Sequence, residues 1–233
     1  MVLSMIAIWN SSAAKGLIGG YSRSELVTYY IIAHFLQWII LWYPFSGLFH
    51  QIKDGDIVLS VLSKPISCYF NWFFMDVGWH LISSIVGLTT SLVLAYYFKG
   101  NLSFSVSFVN LLLFFPAVVL GILICFTLSL DMGLLAFWFT EVGALESFFW
   151  MGRSLLGGAS LPVSFIPGYF QFLVKILPFR YLFSLPMEIL LGKLTLGETV
   201  WGFIIACLWL MVFLLIYRWL WNRGRKTYSA FGQ

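Results

Sequence analysis

Charged residues are scarce in this sequence, and the long runs that lack them are apolar. Only 9% of its 233 residues are charged, whereas 61% are hydrophobic and 20% are aromatic. Soluble domains contain about 25% charged residues, and disordered chains combine low hydrophobicity with high charge. The composition therefore excludes both classes and indicates an all-α integral membrane protein with short loops.

The motifs of several enzyme and binding-site classes are missing as well. The three cysteines, Cys68, Cys125 and Cys207, lie in or beside apolar runs, which argues against a disulfide framework or a metal site. There is no phosphate-binding loop, no His-Glu-x-x-His and no Gly-x-Ser-x-Gly. We therefore expect no catalytic residues, no metal, no cofactor and no enzymatic activity. The net charge of +4 is too small and scattered to indicate nucleic-acid binding.

Apolar runs of sufficient length predict about six transmembrane helices, since one crossing takes about 20 residues. The segments are Met1–Ala14, Leu26–Phe49, Cys68–Phe98, Ser107–Leu130, a stretch from a reversal between Asp131 and Glu146 to Leu161, and Thr199–Leu220. The first of these is long enough for only half a crossing, so we expect the first span to be truncated.

Four prolines interrupt the apolar stretch that precedes the last predicted span: Pro162, Pro167, Pro178 and Pro186. Such a density of prolines is incompatible with a straight span and favours broken or re-entrant helices at one membrane face. Two interpretations remain open. These prolines form an extracellular gate above a substrate path, or the segment is a structural plug that seals the mouth of the bundle.

Basic residues near the ends of the spans predict the orientation. Arg218, Arg223, Arg225 and Lys226 cluster around the end of the last span, which predicts a cytoplasmic C-terminus. Counting back through alternate crossings places the loop with Lys53 inside and the prolines outside. We expect a multi-pass protein of the inner (plasma) membrane.

The most charged internal stretch is the loop that follows the second predicted span. Asp54 and Asp56 occupy positions typical of N-capping acids, Ile57–Ser63 has the length of two helical turns, and Pro65 ends the helix. The pattern is amphipathic. Such a helix docks into a groove of a soluble partner, or it lies at the lipid interface.

Asp76 and His80 are four residues apart within a predicted span and therefore share one side of the helix. They form a proton relay or an ordinary hydrogen-bonded pair of the bundle interior. The first interpretation predicts a proton-coupled secondary transporter. A membrane enzyme acting on lipids is a third possibility, but no nucleophile and base converge in the sequence.

Several short segments, taken in order along the chain, carry a family resemblance. They are Gly55-Asp-Ile57, Leu62-Ser-Lys-Pro-Ile66, Ala136-Phe-Trp138, Gly158 with Pro162, Phe165-Ile-Pro167, Leu177-Pro-Phe179 with Pro186, Gly192-Lys193 and Arg223–Gly232. In order and spacing they resemble the permease subunits of type-2 ABC exporters, in particular the small bacterial permeases of that class.

The resemblance implies a single transmembrane permease domain over residues 1–233, with six spans and re-entrant helices before the last span. It implies a dimer of permeases, homomeric or heteromeric, in membrane lipid, with a separate cytoplasmic ATPase bound through residues 51–67. The substrate is expected to be hydrophobic or amphipathic and to move out of the cell. The residues expected to contact the ATPase are Lys53, Asp54, Asp56, Leu59 and Lys64.

Overall fold

The computed structural model describes residues 19–40, 45–57, 61, 65–102, 106–141 and 143–227. These residues form α-helices joined by turns and short 3-10 helices, and none of them lies in a β-strand. The α-helices are α1 (Arg23–Ile40), α2 (Phe45–Lys53), α3 (Cys68–Tyr97), α4 (Phe108–Leu134), α5 (Gly143–Leu156), α6 (Gly168–Ile176), α7 (Ser184–Leu190) and α8 (Leu196–Thr227). The expectation of an all-α membrane protein is confirmed.

Four segments of the described chain are long and apolar enough to cross a membrane. They are Arg23–Lys53, which contains α1 and α2, and then Cys68–Tyr97, Phe108–Phe137 and Leu196–Thr227. Large apolar side chains on these segments point outward, for example Phe74, Trp79 and Leu215, which are exposed. An apolar exterior is what a lipid environment requires of a spanning helix.

The predicted fifth span is not one long helix. α5 has 14 residues and is therefore about 21 Å long, short of the roughly 30 Å of hydrocarbon. The chain nevertheless runs from one end of the bundle to the other between Trp138 and Gly158. The Trp138 ring stacks on Trp219 near the end of α8, and the Gly158 carbonyl accepts a hydrogen bond from Tyr29 near the start of α1. Met1–Ala14 lies outside the described residues, so the count of six spans stays a prediction.

The helices α1 and α8 begin at reciprocal caps. The Ser22 amide donates to the Glu25 carboxylate at 2.7 Å, and the Glu25 amide donates to the Ser22 hydroxyl at 3.3 Å. Thr195 and Glu198 repeat this arrangement, with 2.9 and 3.3 Å. Because each cap satisfies amides that have no partner within the helix, α1 and α8 begin earlier than the predicted Leu26 and Thr199.

The bundle has two ends, named here after the two ends of α8. At the Thr227 end, the Tyr69 ring at the start of α3 lies 5.3 Å from the Tyr217 ring of α8. At the Leu196 end, Lys193 lies 2.8 Å from Glu25 at the start of α1. Hence the loop between α2 and α3 lies at the Thr227 end, opposite the residues that precede α8.

Two apolar clusters hold the helices together. The larger one joins α1 and α4 to the turn before α7, through residues such as Tyr29, Ile124 and Phe183. The smaller one lies at the Thr227 end, where Leu130 and Tyr217 meet the helix ends around them. Of the four candidate spans, Arg23–Lys53 is the most buried, Phe108–Phe137 comes next, and Cys68–Tyr97 is the most exposed.

Close packing of α4 against the turn before α7 predicts a steric effect at Gly121. A Cβ atom at this position would lie 3.1 Å from the Leu182 carbonyl oxygen and 3.2 Å from that of Tyr181. We expect Gly121→Val to lower the free energy of unfolding by about 1–3 kcal/mol, because overpacking against backbone forces the elements apart. Thermal unfolding in detergent micelles measures the loss.

The matched control is Gly78→Val on α3, since no atom lies within 4 Å of a Cβ at Gly78. Equal destabilisation by the two substitutions would contradict the assigned contact between α4 and the turn.

Candidate functional site

The loop between α2 and α3 exposes charge at the Thr227 end. α2 ends at the half-buried Lys53, and the amide of the exposed Asp54 donates to the His50 carbonyl at 2.8 Å. Gly55 has a φ of +85°, a backbone conformation that favours glycine, and it turns the chain toward the exposed Asp56. Three of the five expected ATPase-contact residues therefore lie within four consecutive positions at one end of the bundle.

The continuation of this loop is anchored in the protein by two apolar side chains. Ile57 is fully buried and Val61 is 2% exposed. Both belong to the smaller cluster, together with Leu48 of α2, Leu134 of α4 and Tyr217 of α8. The interpretation of a helix lying with its apolar side in the lipid interface is thus not supported at these two positions, since they pack on the protein itself. Leu59 and Lys64 lie outside the described residues.

A second candidate region is the proline segment, residues 157–195, at the Leu196 end. Three of its prolines precede or begin a helix. Pro162 directly precedes the 3-10 helix Val163–Phe165, Pro167 directly precedes α6, and Pro178 is the first residue of the 3-10 helix Pro178–Tyr181. Pro186 lies in the first turn of α7. Proline is tolerated at such positions because its missing amide would lack a helical partner anyway. The expected broken helices are therefore observed.

Hydrogen bonds fasten the start of the proline segment to α1. The Tyr29 hydroxyl donates to the Gly158 carbonyl at 2.6 Å, and the Tyr30 hydroxyl donates to the Ser160 carbonyl at 3.1 Å. Both tyrosines are buried. A carbonyl in irregular backbone at membrane depth needs such a donor, because lipid provides none.

Two ion pairs fix the end of the proline segment. Arg180 lies 2.6 Å from Glu188, with side chains only 9% and 12% exposed, and Lys193 lies 2.8 Å from Glu25, with 26% and 23% exposed. Burial raises the pKa of Glu188, and the neighbouring Arg180 guanidinium acts in the opposite direction. The first pair is not predictable from residue spacing, since its members are eight residues apart and lie in different helices.

An open apolar cavity of about 410 Å³ lies between α5 and α6. Its lining includes Leu155, Leu161, Phe170 and Val174 and is almost entirely apolar. The prolines that precede Val163–Phe165 and α6 therefore shape an apolar recess at the Leu196 end rather than a polar channel mouth.

Asp76 and His80 lie half-buried on α3, on one side of the helix as expected. One carboxylate oxygen of Asp76 is shielded from solvent and has no hydrogen-bond partner within the part of the chain that the structure describes. The geometry therefore places an ionisable residue with a shielded, unbonded oxygen inside a span.

A comparison with protein families decides the class. A family model described as ABC-2 family transporter protein matches residues 1–232. The chain belongs to the ABC-2 family. A search of curated proteins finds no match. An ABC-2 membrane component is the permease of an ABC transporter and operates with an ATPase subunit, so the proposed resemblance to this class of permease is confirmed.

In this ABC-2 permease, the buried ion pair of the proline segment predicts an unequal response to two similar substitutions. We expect Glu188→Gln to lower the free energy of unfolding by about 3–5 kcal/mol, because it leaves the buried Arg180 charge unpaired. Glu25→Gln breaks the more exposed pair and is expected to cost at most about 1 kcal/mol. Denaturant unfolding of both purified variants in micelles gives the comparison, and a larger loss for Glu25→Gln would overturn it.

Proposed function

We propose that this ABC-2 permease forms, with a second permease subunit, the membrane path of an exporter driven by a separate cytoplasmic ATPase. The chain itself has no catalytic role in this proposal. The observation that carries it is the structure of the α2–α3 loop, which exposes Asp54 and Asp56 while burying Ile57 and Val61. A charged surface attached to helix ends through buried apolar side chains is what a coupling element needs.

The loop transmits motion of the ATPase to the spans. Lys53, Asp54 and Asp56, with Leu59 and Lys64, contact the ATPase, whereas Ile57 and Val61 grip the ends of α2, α4 and α8. When ATP binding closes the ATPase subunits, displacement of the loop tilts these helices together. Access to the substrate path then shifts from the inner to the outer side as a change in population of two conformations.

The orientation follows from the charge at the Thr227 end. Arg218, Arg223, Arg225 and Lys226 are exposed there, and an excess of basic residues marks the cytoplasmic side. Since the α2–α3 loop lies at the same end, it faces the cytoplasm and the ATPase. The proline segment then lies on the outer side of the inner (plasma) membrane.

The proline segment serves as the outer gate in this proposal. Its short helices begin at or near Pro162, Pro167, Pro178 and Pro186 and can move as separate pieces about the turns between them. The ion pair of Arg180 with Glu188 holds the closed arrangement. Hydrophobic or amphipathic cargo leaving the bundle passes the apolar recess beside α6.

A proton-coupled secondary transporter using Asp76 and His80 is the alternative. Membership of the ABC-2 family supports the ATP-driven mechanism over it. Export that survives ATP depletion but stops when the proton gradient collapses would favour the alternative.

Charge reversal in the coupling loop tests the proposed function. We expect Asp54→Arg to lower recovery of the ATPase subunit with the tagged permease about tenfold, because a large cation then replaces an acidic side chain in the proposed contact. The measurement is quantitative mass spectrometry of the purified complex, combined with ATP-dependent export by cells.

The control is Lys99→Glu, a charge reversal at an exposed residue at the opposite end of α3. Retention of the ATPase by Asp54→Arg, or equal loss in the control, would overturn the coupling assignment.

A further inference from the structure

One side of α3 carries a line of polar side chains along the span. Trp72, Asp76, His80, Ser84 and Ser91 follow one another at intervals of four, four, four and seven residues, which places them on one side of a helix. They are called the polar stripe below. Trp72 and Ser91 are buried and the other three are half-buried, so the stripe faces the protein.

The other sides of α3 are apolar and exposed. Phe74 is 68% exposed, Trp79 73% and Val93 68%. In a membrane these side chains face lipid, which leaves the polar stripe as the side turned toward α1. Its Ser91 end is close to that helix, since the hydroxyl of the adjacent Thr90 lies 3.2 Å from His34 Nε2.

Hydroxyl groups elsewhere on α3 donate hydrogen bonds to backbone carbonyls of the same helix. Ser83 donates to the Trp79 carbonyl at 2.9 Å, and Thr89 donates to the Val86 carbonyl at 3.0 Å. These bonds show that α3 has ordinary backbone acceptors for its hydroxyls, and that lipid-facing polar groups need no further partner.

The polar stripe behaves differently. The indole nitrogen of Trp72, one carboxylate oxygen of Asp76 and the hydroxyl oxygen of Ser91 are shielded from solvent and have no hydrogen-bond partner among the described residues. A buried polar group left without a partner costs about 1–3 kcal/mol. Three such groups lie on one side of one helix, spread over about 28 Å at 1.5 Å per residue.

The position of Asp76 makes its isolation more costly. α3 has 30 residues, which corresponds to about 45 Å, so Asp76 lies roughly 10 Å from the helix centre on the Thr227 side and within the hydrocarbon. A carboxylate at this depth is expensive unless a cation or a donor approaches it, and it marks a functional site by default.

We infer that the polar stripe of α3 binds an amphipathic small molecule that carries a protonated amine. The ammonium group pairs with Asp76, an acceptor group of the molecule reaches the indole nitrogen of Trp72 one turn away, and its apolar body lies along the neighbouring apolar surface. Charge complementarity at Asp76 selects this class over neutral lipids. This inference rests on the proposed function for its claim that the bound molecule is the exporter's cargo.

A pair of fluorescent probes tests the inference on the purified full chain in lipid nanodiscs. Dansylcadaverine carries a primary amine on an aromatic body, and its N-acetylated derivative is nearly the same size without the charge. We expect the amine to bind the wild-type chain at least tenfold more tightly than the acetylated probe, after subtraction of binding to empty nanodiscs. Equal affinities would overturn the inference without any variant.

Substitutions then locate the site. Asp76→Asn is expected to weaken dansylcadaverine about tenfold or more while leaving the acetylated probe unchanged, and Asp76→Glu is expected to restore most of the affinity. The control is Glu141→Gln, which neutralises an exposed carboxylate outside the spans and is expected to change neither affinity.

Two results would contradict the assignment to the polar stripe. One is unchanged amine binding by Asp76→Asn. The other is conversion of a dimer to monomer by that variant in native mass spectrometry with binding intact, which would make the polar stripe a contact between two copies. Because no ATPase is present in these measurements, their failure leaves the coupling test above untouched, and failure of that test leaves these results standing.

Discussion

Hydrocarbon supplies no hydrogen-bond partner, so a polar group that this chain places in the membrane is costly unless the chain itself or a bound molecule satisfies it. Hydroxyls on the exposed sides of α3 turn back to their own helix, as Thr89 does toward the Val86 carbonyl. The irregular backbone after α5 takes donors from α1, through Tyr29 and Tyr30. Because these bonds are directional, they determine where the proline segment sits more firmly than apolar packing alone does.

The proline segment and the α2–α3 loop are consequently held by different kinds of interaction. At the Leu196 end, the proline segment is fastened by hydrogen bonds and by the pair of Arg180 with Glu188. At the Thr227 end, Ile57 and Val61 hold the α2–α3 loop through apolar contacts, which are non-directional. Helix ends can slide over such contacts while remaining attached, whereas opening the other end requires specific bonds to break. This asymmetry suits a coupling element at one end and a gate at the other.

Much of this arrangement is predictable from the sequence, and the features that are not predictable have identifiable physical causes. The limits of α3 follow from its apolar run alone. The apolar runs place the starts of α1 and α8 three residues too late because hydropathy ignores caps, although Ser22 with Glu25 and Thr195 with Glu198 display the capping pattern in the sequence. The pair of Arg180 with Glu188 is not predictable, since it depends on how the turn between Pro178–Tyr181 and α7 folds back.

The spacing of Asp76 and His80 reveals one part of the polar stripe. That Ser91 and Trp72 lack hydrogen-bond partners among the described residues is visible only in three dimensions.

The distribution of acidic residues connects these observations. Near the Leu196 end, Glu25, Glu188 and Glu198 are each bonded, to Lys193, Arg180 and Thr195 respectively. Toward the Thr227 end, Asp76 has a shielded oxygen without a partner, and so does Asp131 at both oxygens, within the residues that the structure describes. Bonded acids stabilise one arrangement, whereas an unbonded buried acid raises the free energy of the conformation that contains it. The described conformation is therefore stabilised at the proline segment and strained in the half of the bundle nearest the α2–α3 loop. A cation that reaches Asp76, or a displacement of that loop, thus acts where few specific bonds have to break.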